Sequence, residues 1–176
     1  RHAGNELSRP DDLADLDRWI TSATPLDRAA ELLDMVEGQP VTYFLEAINA
    51  TQYPDHIRSI RDAGIEIGLH GWRHENWAAC APLRRKTILT DSLQAFERLD
   101  VRPRGFRPPG GLLPEGALAE LAQAGLAYCS PWGVAGASQL QEGLAVLPFA
   151  WAHVDAYQLD PALGAWRQRY GDPEAP

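Results

Sequence analysis

The feature that most constrains this sequence is a repeated alternation. Short apolar runs are separated by longer stretches with helical spacing. Leu26–Val36 places Leu26, Ala29, Ala30 and Leu33 on one helical face, with Pro25 near its start and Gly38-Gln39-Pro40 as a stop. Val41–Leu45 is β-branched and aromatic and reads as a strand. Pro54–Ala63 follows as a helix with Ile57 and Ile60 inward and Gly64 as its cap, and Ile65–Leu69 as the next strand. Pro82–Leu99 is the longest helical stretch, with Leu83, Ile88, Leu93, Phe96 and Leu99 as its apolar positions. Gly105–Arg107, Leu126–Cys129 and Leu144–Leu147 read as further strands, Pro114–Ala124 as a helix capped by Gly125, and Pro161–Tyr170 as a last helix. Strand alternating with helix predicts an α/β fold around a mostly parallel sheet, whose sites form at the carboxyl ends of the strands.

The 176 residues suit one domain with a sizeable core. The apolar content of 45% is that of an ordinary globular protein, and no apolar run approaches the ~20 residues of a bilayer span. A net charge of −8 argues against a phosphate backbone as partner. Arg84, Arg85, Lys86, Arg102 and Arg104 are expected to form a solvated helix face and a loop. Cys80 and Cys129 form no CxxC pair, which excludes a cysteine-rich zinc site and favours free thiols. A cytoplasmic location is slightly favoured over the cell envelope or secretion. The oligomeric state is not legible.

Three segments carry the chemistry. His70 and His74, four positions apart behind the Ile65–Leu69 strand, can share one ion either from a helix start or from a loop. The alternative is a pair of surface histidines in a turn. Arg107-Pro108-Pro109-Gly110-Gly111 follows another strand. Its prolines stiffen the loop, the N–H groups of Gly110 and Gly111 are candidate oxyanion donors, and Arg107 can orient a carboxylate or hold substrate. A rigid turn with a surface arginine would look the same. Trp151–Tyr157 places Trp151, His153, Asp155 and Tyr157 after a third strand, where aromatic faces suit sugar rings and Asp155 can position Arg107 or a histidine. Core plugging at a strand end is the plainer reading. Trp72, Trp77 and Trp132 lie near these segments; most of the tryptophans are expected to pack in the core or at its edge, and one or two, with Trp72 and Trp132 as the candidates, to line a carbohydrate groove.

In order, Thr42–Leu45, then Glu66–His74, then Gly105–Gly110 resemble the polysaccharide deacetylase (NodB-homology) family, carbohydrate esterase family 4. The similarity runs from about Pro25 to Tyr157. It implies a distorted or incomplete (β/α) barrel and a divalent metal, commonly zinc, held by two histidines and an aspartate. The implied reaction removes an acyl group from an amide nitrogen, typically of an N-acetyl sugar, with an aspartate as base and a histidine as acid. His70 and His74 match the histidine ligands, and Arg107 matches the arginine that orients the catalytic aspartate. Pro109, Gly110, Trp72, Trp132 and Trp151 are the substrate-side candidates, with Gly110 where many members carry Tyr.

The sequence departs from the family at three points. Its Thr-Phe-Asp-Asp motif is not found, because Asp11, Asp12, Asp15 and Asp17 sit in what reads as a helix opening. The final Leu-and-His motif is absent, and Ser130-Pro131-Trp132-Gly133 replaces the usual acidic motif. The expectation is therefore one deacetylase-like domain over residues 1–176, cut at both ends and of little activity by itself. Two alternatives are a non-catalytic carbohydrate- or metal-binding relative that never carried the aspartate, and an unrelated α/β domain.

Overall fold

A computed structural model describes Leu26, Glu31 and residues 34–133 and 136–154. The expected helices at Pro10–Asp17 and Pro161–Tyr170 and most of Leu26–Val36 lie outside the described residues, as does Asp155. The described chain forms one six-stranded sheet. In chain order its elements are β1 (Thr42–Leu45), α1 (Ile48–Gln52), α2 (Pro54–Asp62), β2 (Glu66–Leu69), α3 (Pro82–Glu97), β3 (Gly105–Phe106), α4 (Ala117–Gln123), β4 (Tyr128–Cys129), β5 (Gln139–Gln141) and β6 (Leu144–Val146). The strand order is β1-β2-β3-β4-β6-β5. All neighbours pair in parallel except β5 with β6. Among the described residues the sheet is open, with β1 and β5 as its edges, so the (β/α) architecture is present but not closed.

Three helices hand over to the next strand through the same device. After α2, Gly64 N–H donates to Arg61 O and Ile65 N–H to Ile60 O. After α4, Gly125 N–H donates to Ala122 O and Leu126 N–H to Leu121 O. After α3, Asp100 N–H donates to Glu97 O and Val101 N–H to Phe96 O. Each is a Schellman ending, which needs one left-handed residue: Gly64 (φ 75°), Gly125 (φ 85°) and Asp100 (φ 61°). The apolar residue that follows each, Ile65, Val101 or Leu126, packs into or against the core as the chain turns towards β2, β3 or β4. These short connections sit at the amino ends of the strands and leave the long loops at the carboxyl ends.

One face of the sheet is covered by helices. Leu45, Ile67, Leu69, Phe106, Cys129 and Leu144 pack with Ile57, Ile60, Ile88, Leu89, Phe96 and Leu121 in one buried cluster, and Trp77 lies against Phe106 with ring centroids 4.8 Å apart. The inward positions expected for Ile57 and Ile60 hold. Of the apolar positions expected for α3, Ile88, Phe96 and Leu99 are buried and Leu93 packs against the core, while Leu83 points outward. The buried positions of α3 are Arg85, Ile88, Leu89, Ser92, Ala95 and Phe96, a helical stripe that Leu83 misses, leaving Leu83 78% exposed. Arg85, expected in a solvated face, is buried instead. Its guanidinium forks onto both carboxylate oxygens of Glu120 in α4 and donates to Cys80 O. That bidentate pairing offsets the cost of burying the charge and ties α3 to α4.

Side chains alternate across strands, so the other face carries Thr42, Phe44, Glu66, Gly68, Gly105 and Tyr128. Gly68 and Gly105 make room for aromatic rings. A Cβ on Gly68 would lie 2.5 Å from Phe44 Cδ1, and one on Gly105 would lie 2.0 Å from Tyr128 Cζ.

Two elements escape the sequence reading. Helix α1 has five residues, too few to establish a period. β5 turns back onto β6 through Glu142 (φ 50°) and Gly143 (φ 79°). Two successive left-handed residues form the tight hairpin turn that suits the twist of antiparallel strands.

Candidate functional site

The β1–β2 ladder continues past the strands into the histidine loop. His70 N–H donates to Leu45 O, Ala47 N–H to Gly71 O and Ile48 N–H to Trp72 O. The backbone then turns left-handed at Gly71 (φ 74°) and again at His74 (φ 63°), so a loop rather than a helix start presents the two histidines. It brings their rings together, with centroids 5.0 Å apart at an interplanar angle of 68°.

The next loop fixes the orientation of His70. Arg107 N–H donates to Leu69 O at 2.9 Å, continuing β3 beside β2, and the Arg107 carbonyl lies 2.7 Å from His70 Nδ1. A carbonyl accepts but cannot donate, so Nδ1 carries the proton and the neutral ring has its lone pair on Nε2. One imidazole of the pair is thus set as a ligand tautomer.

Beneath the histidine loop sits Glu75, which is 3% exposed. Trp72 N–H donates to its Oε2 at 2.9 Å and Arg73 N–H to its Oε1 at 3.0 Å. The sequence reading passed over Glu75. Its signal was weak: a lone acidic residue just after the second histidine, with a glycine four positions before it.

The arginine loop is held by packing more than by polar bonds. Pro108 and Pro109 are buried, and Gly111 N–H closes a turn onto Pro108 O at 2.8 Å. That bond uses up one of the two N–H groups expected as oxyanion donors. Gly110 N–H makes no hydrogen bond among the described residues, and Gly110 is exposed. Trp132 N–H donates to Gly111 O, and a Cβ on Gly111 would meet Trp132 Cβ at 2.7 Å and Phe149 Cζ at 3.1 Å. Only glycine lets these three segments close on one another.

The Arg107 side chain lies on the sheet face that the helices leave. Its guanidinium is clasped between the Phe44 ring (4.5 Å) and the Phe149 ring (4.8 Å) and donates from Nη2 to Ser130 Oγ at 3.0 Å. Its Nε is buried and has no hydrogen-bond partner among the described residues. Burial pushes the Arg107 pKa down, yet an arginine starts high enough to remain a cation. A buried donor left unpaired on a half-buried cation is costly, and an arriving carboxylate would relieve the cost. A cavity of about 460 Å³ opens beside it, lined by Thr42, Phe44, Tyr128, Ser130 and Phe149. Ser130, the first residue of the segment that departs from the family pattern, is thus a neutral partner to Arg107. Phe44 and Phe149 were not singled out by sequence, because a cation clasp between distant strands leaves no local spacing to read.

Among the aromatic candidates, Trp132 is 39% exposed beside a groove of about 630 Å³ lined also by Gly111, Glu115, Gln139 and Glu142. Trp151 is half-buried and stacks edge-on against Phe149, with centroids 5.3 Å apart. Trp72 is half-buried and packs against the core. Cys80 and Cys129 are free thiols, as expected. No group of three His, Cys, Asp or Glu able to hold a metal occurs among the described residues. No helix among them is long and apolar enough to cross a membrane.

Comparison with known proteins places this arrangement. Peptidoglycan deacetylase-like protein FGM2 of Gibberella zeae is 31% identical over 103 residues, which is 57% of this chain and 30% of that protein. Chitin deacetylase 1 of Saccharomyces cerevisiae is 31% identical over 99 residues, 56% of this chain and 33% of that one. The chain therefore matches about a third of the length of these curated relatives. Among solved structures, a Mycobacterium smegmatis protein assigned to the polysaccharide deacetylases superposes with a TM-score of 0.66 at 31% identity, over 74% of this chain and 47% of that one. A CE4 family pseudoenzyme from Bacillus anthracis shares the fold at a TM-score of 0.60 and 19% identity, over 88% of this chain and 50% of that one, so the fold alone does not carry activity. The polysaccharide deacetylase family model matches residues 24–129, more than half of the sequence, and the chain belongs to that family.

Proposed function

We propose that the protein is a metal-dependent hydrolase that removes an acyl group from an amide nitrogen, most simply the acetyl group of an N-acetylated sugar or polysaccharide. The observation that carries this reading is the pairing of two loops across β2 and β3. One brings His70 and His74 to a ring separation of 5.0 Å, and the other sets a half-buried Arg107 beside them in the sheet, its buried Nε without a partner among the described residues. Imidazole donors suit zinc, and the His70 tautomer set by the Arg107 carbonyl is the one a ligand needs. The two histidines fit two positions of such a centre. The further donor, a carboxylate, comes from outside the described residues, and the unpaired Arg107 Nε is the group that would hold and orient a carboxylate there.

When bound, a zinc ion supplies Lewis-acid polarisation of the acyl oxygen and a water acidic enough to attack near neutral pH. The chain's own residues do the rest. Arg107 keeps the general-base carboxylate ionised and aimed, and the rings of Phe44 and Phe149 keep bulk water from its guanidinium. The exposed Gly110 N–H stands at the loop tip as the candidate oxyanion donor. The groove beside Trp132 offers an aromatic face with amide and carboxylate groups around it, the usual composition of a sugar site. Asp155, next in sequence after the Trp151 turn, remains the candidate to position Arg107 or a histidine.

A second reading, a carbohydrate- or metal-binding relative without turnover, is favoured by Ser130 standing as the neutral partner of Arg107. One experiment separates the two. Acetate release from N-acetylglucosamine oligomers is followed before and after EDTA treatment, and again after zinc is restored. The hydrolase reading predicts turnover that EDTA abolishes and zinc restores. Zinc binding without acetate release would support the second reading, and turnover indifferent to EDTA would remove the metal from the account.

A further inference from the structure

We infer that Glu75 is the positioning residue of the histidine pair: its buried carboxylate clamps the His70–His74 loop in the geometry that lets both imidazoles serve one ion. The inference rests on the metal-site reading above but adds a residue to it. Between the two histidines the chain must reverse within three residues, passing a left-handed Gly71 (φ 74°) and ending in a left-handed His74 (φ 63°). A non-glycine residue in that conformation persists only where its surroundings impose it. Trp72 and Arg73 are the two middle residues of the loop, and both direct their N–H groups inward onto Glu75, one onto each carboxylate oxygen. The carboxylate thus replaces the backbone partners that a helix or strand would have supplied.

Gly71 is built around the same group. A Cβ there would lie 2.6 Å from Glu75 Oε2 and 3.3 Å from Pro109 Cγ. The space a side chain would need is filled by the clamp on one side and by the arginine loop on the other. The glycine between the histidines therefore admits the carboxylate as well as the turn. Ala47 N–H on Gly71 O and Ile48 N–H on Trp72 O hold the outer edge of the loop, and Glu75 holds the inner edge.

Two substitutions attack the clamp from opposite sides. Glu75→Gln keeps the side-chain volume but leaves one carbonyl oxygen to accept where two oxygens did, and turns an NH2 towards a backbone N–H. Gly71→Ala keeps the carboxylate but pushes it out of place. Zinc affinity of the folded protein is measured by competition with a chromogenic chelator, with Glu97→Gln as a distant control. Groups that orient metal ligands typically contribute 10–100-fold to affinity. The expected result is zinc binding at least about tenfold weaker in both variants and unchanged in Glu97→Gln, an exposed position at the end of α3. Folded variants that bind zinc as tightly as the unsubstituted protein would overturn the inference.

Hydrogen exchange of the Trp72 and Arg73 amides supplies a readout that does not depend on metal. Both should be protected in the unsubstituted protein and exchange at least about tenfold faster in Glu75→Gln. Absence of zinc binding by the unsubstituted protein, with this protection intact, would defeat the metal reading and leave the clamp standing. Unprotected amides would defeat the clamp whatever the metal does.

Discussion

The two faces of the sheet are built from the same strands under opposite demands. The helix-covered face is aliphatic and aromatic, with Leu69, Phe106 and Leu144 fully buried against the helices. The opposite face mixes Phe44 and Tyr128 rings with Thr42, Glu66, Ser130 and the Arg107 cation. On the first face each residue is there for volume. On the second, two glycines surrender their side chains to make room for rings, and the buried Arg107 Nε has no partner among the described residues. A core has no reason to retain such a defect, whereas a site that awaits a carboxylate does.

That contrast can be broken most forcefully at Phe106, which is buried against Trp77. Phe106→Ala should cost about 3–5 kcal/mol of stability, read as a lower midpoint in denaturant. A loss below about 1 kcal/mol would mean that the helix face is not the principal core. Arg107→Lys should behave oppositely. A lysine cannot fork onto Ser130 and a carboxylate together, so kcat should fall about 100-fold, about 2.7 kcal/mol, with the denaturation midpoint nearly kept. A large loss of stability with kcat intact would return Arg107 to a structural role. Gly105→Ala places a methyl group inside the Tyr128 ring and should cost about 1–3 kcal/mol through overpacking. A silent change would show the second face to be loosely filled.

The smallest effect lies with Cys129. Burial raises its thiol from 9.0 to about 12. A raised acid pKa means that the unfolded chain releases its proton first, so stability present below about pH 9 is lost as pH rises towards 12. Between pH 8 and pH 10 the unsubstituted protein should lose about 1.4 kcal/mol more than Cys129→Ala, one unit's worth of shift. Parallel pH profiles for the two would place the thiol in contact with water.

What could be read from the sequence was what local pattern encodes. The strands β1, β2, β3, β4 and β6 and the inward positions of α2 follow from periodicity, and Gly64 and Gly125 mark helix ends because left-handed backbone favours glycine. In and just after α3, Ile88, Phe96 and Leu99 are inward as their spacing implies, but Leu83 is apolar at an outward position and Arg85 charged at an inward one, and the Glu120 that compensates Arg85 lies 35 residues away. Distance also hid the clasp of Arg107 by Phe44 and Phe149, whereas the bond from Gly111 N–H to Pro108 O is local and a Pro-Pro-Gly-Gly run leaves its turn type open. The histidine pair was legible as a spacing that left helix start and loop both open, because the groups that fix the loop, the Glu75 carboxylate among them, belong to no motif.

The central claim is that His70 and His74 hold a catalytic divalent metal, and elemental analysis tests it most directly. Zinc and other divalent metals are measured in the purified protein and in the His70→Ala/His74→Ala double variant, both shown to be folded. The account predicts close to one equivalent of metal in the first and essentially none in the second. Metal retained by the folded double variant, or absent from both proteins after exposure to zinc, would contradict it.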